Sequence, residues 1–252
     1  MNYRLCSLSV LLSFLLIPSA GLADTLKVAV AANFAKPLEQ FATAYNEKTG
    51  NRVIVSKASS GTLYAQINHG ADIDVFLSAD SSRPQQLLED GRVNASDVVT
   101  YAIGRLGYIQ RSNASPDVET LKTFALAPTT RLAIANPRLA PYGEAARQAL
   151  TSLVLWQHVS GALVYGNNVL QVYQFYQSGN VDHALLAWSL IKGEPGAVQL
   201  SDELHQPIVQ QLAITATGAD KAAANAFVDY LLSDEVQTQL PQWGYQRTGT
   251  RE

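Results

Sequence analysis

Two kinds of segment alternate along the chain: short runs of consecutive apolar residues, and stretches where apolar residues recur every three or four positions. "LKVAVAA" (26–32) has no polar face and reads as a strand buried on both sides. Beyond it Phe34, Leu38, Phe41 and Tyr45 are spaced by four, three and four, which is one face of a helix, and Gly50 supplies a left-handed stop. "RVIVSKA" (52–58) is a second strand, and "SGTLYAQINHG" a helix ending at Gly70. "IDVFLSAD" (73–80) is a third strand, and "SSRPQQLLEDG" a helix ending at Gly91. This β-α-β-α-β-α order with short turns predicts a parallel sheet with right-handed crossovers.

The pattern breaks at "VVTYAIGRLGYIQR" (98–111), a long strand-like stretch with no helix of its own, which reads as a passage between lobes. A second α/β set follows: strand "RLAIANP" (131–137), helix "YGEAARQALTSL", strand "ALVYG" (162–166), helix "NVLQVYQFYQSG" and strand "ALLAW" (184–188). "IVQQLAITAT" (208–217) resembles the first passage and would carry the chain back. "DKAAANAFVDYLLSDEVQTQL" closes as a helix with Ala223, Phe227, Tyr230 and Leu231 on one face. The halves share an architecture, not a repeated sequence.

The N-terminus changes the setting. Residues 1–23 carry one early charge, Arg4, then an apolar run from Leu8 to Ile17, then small residues ending "AGLA". That is the order of a secretory signal peptide, with cleavage expected after Ala23, and the apolar core is too short for a membrane span. Cys6, the only cysteine, would leave with it, and no lipobox precedes the cut. The exported chain would then hold itself by core packing, without disulfides. The net charge of −3 argues against nucleic acid as a partner and requires any anion site to be built locally.

Chemistry concentrates where strands give way to helices. Four such junctions stand out: "AAN" (31–33), "ASSG" (58–61), "APYG" (140–143) and "NNV" (167–169). None has Lys, Arg, Asp, Glu or His at its centre. In open α/β sheets ligands bind at the carboxyl ends of strands, and each helix start offers unpaired N–H groups with roughly +0.5 charge. Asn33, Ser59 and Ser60 add neutral donors. With no carboxylate to accept a proton, such a site suits a fully deprotonated oxyanion better than a hydrogen phosphate. Taken singly, Ser60 or Asn33 reads more readily as a helix cap, and only the set of four points to a ligand.

Other chemistries find less support. There is no G-x-S-x-G elbow, no H-E-x-x-H and no P-loop lysine after "ASSG". His69, His158, His183 and His205 show no metal-ligand spacing. No cofactor, metal ligand or catalytic residue is expected. Trp156, Trp188 and Trp243 read as core, with Trp188 ending a strand that faces the cleft.

"VAVAANFAKPLEQFATAY", "ASSGTLYAQINHGADIDVFLSAD" and "ANPRLAPYGEAARQAL" together resemble the periplasmic molybdate-binding proteins of molybdate ABC importers, in order and spacing over about 24 to 250. The resemblance implies the type II periplasmic binding protein fold: two doubly wound α/β lobes, two crossing strands and a ligand cleft between. Lobe 1 would comprise 24–104 plus 216–252, and lobe 2 105–215. It implies donation to the oxyanion by Asn33 through backbone and amide, by Ser60 through hydroxyl and backbone, and by Tyr142 and Val169 through backbone. Ala32, Ser59 and Trp188 are further candidates; Trp188 or Ser189 stands near a position where many members have a tyrosine hydroxyl. The implied function is periplasmic capture of molybdate, and of tungstate, by a monomer that delivers it to a membrane permease. A receptor for sulfate, another oxyanion or a small organic acid, an exported hydrolase using Ser60, and a sensing module are the rival readings.

Overall fold

The computed structural model describes residues 24–111, 116–125 and 131–248. The signal-peptide reading and Cys6 fall outside them. The strands are β1 (Thr25–Ala31), β2 (Arg52–Ala58), β3 (Val75–Leu77), β4 (Val93–Gly104), β5 (Leu106–Gln110), β6 (Leu132–Ala135), β7 (Val164–Gly166), β8 (His183–Ala187), β9 (Ala197–Gln199) and β10 (Ile208–Thr215). The helices are α1 (Ala35–Thr49), α2 (Ser60–Asn68), α3 (Ser82–Glu89), α4 (Val118–Ala125), α5 (Pro141–Ser152), α6 (Trp156–Val159), α7 (Val169–Gln177), α8 (Trp188–Ile191), α9 (Ala222–Leu232) and α10 (Asp234–Gln237).

The strands form two five-stranded sheets, ordered β2-β1-β3-β10-β4 and β7-β6-β8-β5-β9. In each, three strands are parallel, as the βα alternation requires; a fourth, β10 or β5, runs against them, and the last, β4 or β9, pairs antiparallel to that strand and so runs with the first three. β1 is buried on both faces. Leu26, Val28 and Val30 pack with Phe34, Phe41 and Phe227, while Ala29 packs with Leu63, Phe76 and Leu87 on the other side. The second core gathers around Tyr108, Ile134, Leu150 and Leu185. Gly50 and Gly91 take left-handed φ of 77° and 67°, stopping the helices where the sequence reading places the stops.

The chain crosses between the sheets at Arg105 and again between Gln199 and Ile208. Four expectations change. The segment 208–215, assigned with lobe 2, pairs with β3 and β4 in the first sheet. The helix expected over 220–240 breaks at Ser233, whose ψ of 156° is extended. Trp188 opens α8 and does not end β8. Helix α4 lies in a stretch that the hydrophobic period left unassigned. No helix among the described residues is long and apolar enough to cross a membrane.

Candidate functional site

In both sheets the first strand of the set lies between the second and third, so strand order reverses beside β1 and beside β6. Such switch points leave a crevice at the carboxyl ends of the strands. A pocket lies where the two crevices face each other. Its first wall is Ala31, Ala32 and Asn33 after β1, Ser59 and Ser60 after β2, and Ala79 after β3; its second is Ala140–Tyr142 after β6, and Asn168 and Val169 after β7. None of these side chains is charged. The pocket admits the centre of a water-sized sphere over about 10 Å³. That is room on the scale of a single water molecule, far below the volume of sites for larger organic ligands.

The caps explain why the donors point inward. Ser59 is the N-cap of α2, accepting from the Thr62 N–H at 3.3 Å, and Asn168 caps α7, accepting from the Gln171 N–H at 3.0 Å. Each cap serves the third helical residue and leaves the first free. The main-chain N–H groups of Ser60 and Val169, at those first positions, have no acceptor among the described residues. Neither does that of Tyr142, which follows Pro141 in α5, nor that of Asn33 in the 3₁₀ turn Ala32–Phe34. All four residues are between 0 and 3% exposed. Buried unpaired N–H groups are rare because they are costly. Four of them in one uncharged pocket form a cradle for an acceptor-only guest.

Ser60 adds a directed hydroxyl. Its Oγ accepts from the Ala79 N–H at 2.9 Å, leaving its hydrogen to donate elsewhere. Ser59, a further candidate contact, instead has its oxygen engaged by Thr62. Asn33 departs from expectation. Its Nδ2 donates to Gln210 Oε1 at 2.8 Å and to the Tyr245 hydroxyl at 3.1 Å. Two acceptors within the protein serve its two hydrogens, so its backbone remains for a ligand and its amide does not. Ala32 lines the pocket with its backbone, and Trp188 does not line it: its ring packs toward Gly107 and Gly244.

Sequence reasoning missed the polar layer behind the pocket. Tyr245 donates to the Asn33 carbonyl at 2.7 Å and stands 2.9 Å from the Ser189 hydroxyl. Tyr101 donates to Gln210 Oε1 at 3.0 Å, and Gln210 Nε2 donates to the Tyr142 hydroxyl at 3.4 Å. Burial pushes the pKa of all three tyrosines up, so they keep their protons and stay neutral. The partners lie far apart in sequence, and no local pattern announces them.

The lobes also meet at the pocket's edge. Gly61 N–H donates to Leu139 O at 2.9 Å, and Arg83 to the Arg138 carbonyl at 3.1 Å. None of the four histidines lines the pocket, so Ser60 has no imidazole base there. No cluster of three or more His, Cys, Asp or Glu suited to a metal ion occurs among the described residues.

With this geometry in place, similarities to known proteins become informative. The sequence profile of bacterial extracellular solute-binding proteins matches residues 26–246. The molybdate-binding protein ModA of Rhodobacter capsulatus is 35% identical, over 92% of this chain and 91% of its own. ModA of Azotobacter vinelandii is also 35% identical, over 97% of this chain and 99% of its own. The solved Azotobacter vinelandii periplasmic molybdate-binding protein superposes with a TM-score of 0.82 at 33% identity, covering 88% of this chain and 99% of that one.

Proposed function

The chain belongs to the bacterial extracellular solute-binding proteins, and we propose from that premise that its pocket captures molybdate outside the cytoplasm and presents it to the membrane permease of an ABC importer. One observation carries the reading: the residues bearing four buried, unpaired main-chain N–H groups, and the Ser60 hydroxyl, line one small uncharged pocket. Molybdate at neutral pH is a doubly charged tetrahedral oxyanion that only accepts hydrogen bonds. Three helix starts bring about 1.5 positive charges of aligned dipole to it without any cationic side chain. The ligand exchanges its water for fixed donors, and because both lobes supply them, binding favours the closed arrangement.

Tungstate shares this charge and shape and is bound as well. Sulfate shares the charge but is smaller, so donors set for the larger anion do not all reach it. The first 23 residues act as the export signal, and the mature chain works as a monomer. A thermal-shift series with molybdate, tungstate, sulfate and phosphate tests the reading. Ligand at a thousandfold over Kd adds about 4 kcal/mol, a rise on the order of 8–16 °C for a chain of this size. Molybdate and tungstate should produce it and phosphate should not. An equal rise with sulfate would make this a general oxyanion receptor, and no rise with any of the four would refute oxyanion capture.

A further inference from the structure

We propose that Gln210 and Tyr245, which do not line the pocket, are positioning residues that set Asn33 for the oxyanion and couple it to Tyr142 on the opposite lobe. The inference rests on the oxyanion reading of the pocket and adds residues to it. Asn33 sits in a short turn after β1, with no strand ladder to hold its peptide unit. Four contacts replace the ladder: Nδ2 to Gln210 and to Tyr245, at 2.8 and 3.1 Å, and its carbonyl from the Tyr245 and Ser189 hydroxyls, at 2.7 and 3.3 Å. With the amide and carbonyl held from behind, the backbone N–H is left toward the cleft.

Gln210 also reaches across. It lies on β10 in the first sheet, is fully buried, and its Nε2 donates to the hydroxyl of Tyr142, whose N–H lies at the start of α5 in the second lobe. One carboxamide therefore touches the side chains of two residues whose main-chain donors line opposite walls. Tyr245 does the same from the C-terminal segment, bonding Asn33 in one lobe and standing by Ser189 of α8 in the other. The crossing strand makes room: a Cβ on Gly104 would lie 2.1 Å from the Tyr142 hydroxyl oxygen and 2.7 Å from Gln210 Nε2. Gln210 Nε2 and the Tyr245 hydroxyl find part of their partners on the second lobe, so the layer is complete only when the lobes stand in this closed arrangement. Parting them leaves Gln210 and Tyr245 without their second-lobe partners, which lengthens the life of the closed, loaded state.

The test compares Gln210→Met, Tyr245→Phe and Tyr142→Phe, alone and in pairs, in the mature chain. Calorimetry with molybdate gives Kd, a radiolabelled molybdate chase gives the release rate, and melting without ligand reports folding. Tyr142→Phe keeps the main-chain donor and loses only the hydroxyl. We expect Gln210→Met to raise Kd at least tenfold, chiefly through faster release, and Tyr245→Phe to raise it several-fold. The several-fold effect of Tyr142→Phe should vanish in the Gln210→Met background, whereas Ser60→Ala should act with undiminished size there. Lowered melting temperatures with Kd within twofold of wild type would mean a structural role alone and overturn the proposal, as would additivity of Gln210→Met with Tyr142→Phe. Should Gln210→Met not fold, the two tyrosine variants, each missing one hydroxyl, decide by the same Kd and release criteria. Wild-type protein that binds no oxyanion would remove the pocket reading itself, an outcome distinct from variants that bind as wild type does.

Discussion

On the first-lobe side of the cleft, side chains stand behind the donors: Ser60 offers a hydroxyl oriented by the Ala79 N–H, and Asn33 is held by Gln210 and Tyr245. On the second-lobe side the donors of Tyr142 and Val169 are bare main chain, aimed by the starts of α5 and α7. Both walls of the proposed site are uncharged, but residue identity should matter differently on each. On the first wall side chains add to the main chain, by a hydroxyl at Ser60 and by anchoring at Asn33. On the second, the donor is supplied by the helix start, and at Val169 any residue with an N–H that keeps that start in place should serve.

The largest expected effects remove one donor from each wall. Ser60→Ala deletes the hydroxyl and strips the buried Ala79 N–H of its acceptor. Val169→Pro deletes an N–H and exchanges the buried valine side chain for a pyrrolidine ring. Proline is tolerated at a first helical position, and Asn168 before it is already extended, at φ −155° and ψ 175°. Each should weaken molybdate binding by roughly 1.5–3 kcal/mol, about 10- to 150-fold, as read by calorimetry. If Val169→Pro folds and binds as wild type does, the main-chain wall is not part of the site.

A slightly smaller effect is expected between the walls. Gly104→Ala places a methyl against the Tyr142 hydroxyl and Gln210 at the crossing strand. Overpacking of this kind costs about 1–3 kcal/mol. It should appear both as a lower melting temperature and as weaker binding, because the methyl pushes the second wall away from the first. Weaker melting with unchanged affinity would show that the walls are set independently of the crossing.

These residues also show what a linear reading can reach. The strands and helices around the pocket were legible because burial imposes a period: two-sided burial makes β1 continuously apolar, and a single buried face spaces Phe34, Leu38, Phe41 and Tyr45. Ser60 stands out in the sequence as a candidate because a small polar run between a strand and a helix is either a cap or a donor. It was Ser59 that proved to be the cap, a distinction set by backbone dihedrals and not by residue type. The Asn33 amide was misassigned because its partners lie 177 and 212 residues away. The placement of β10 was missed for a related reason. An apolar run shows that a strand is buried, and says nothing of which sheet buries it.

The stability of the second lobe can be probed by acid. Burial holds His183, at the start of β8, down to a pKa of about 4 despite nearby Asp182, and its Nδ1 lies 2.6 Å from the Tyr108 hydroxyl. The unfolded value is near 6.5, so the unfolded chain takes up a proton first as pH falls. The imidazole therefore costs no stability above pH 6.5, and stability is lost progressively between 6.5 and 4. Allowing for its partial exposure, the loss is about 1–2 kcal/mol. Denaturant titrations across that range should show it, and His183→Asn should flatten it. An unchanged slope in the variant would place the acid sensitivity elsewhere.

The smallest expected effect sharpens the contrast most. Val169→Ala keeps the N–H that Val169→Pro removes and trims a side chain that packs into the second core. Losing about two buried methylene equivalents should cost roughly 1.6 kcal/mol of stability. Affinity should stay within about threefold, under roughly 0.7 kcal/mol, since the donor is unchanged and the Asn168 cap still aims the helix start. Alanine and proline at one position then separate what the side chain contributes, which is packing, from what the main chain contributes, which in the proposed site is the ligand contact. If alanine weakened binding as much as proline, the valine side chain would itself be shaping the pocket, and the second wall would be no more indifferent to residue identity than the first.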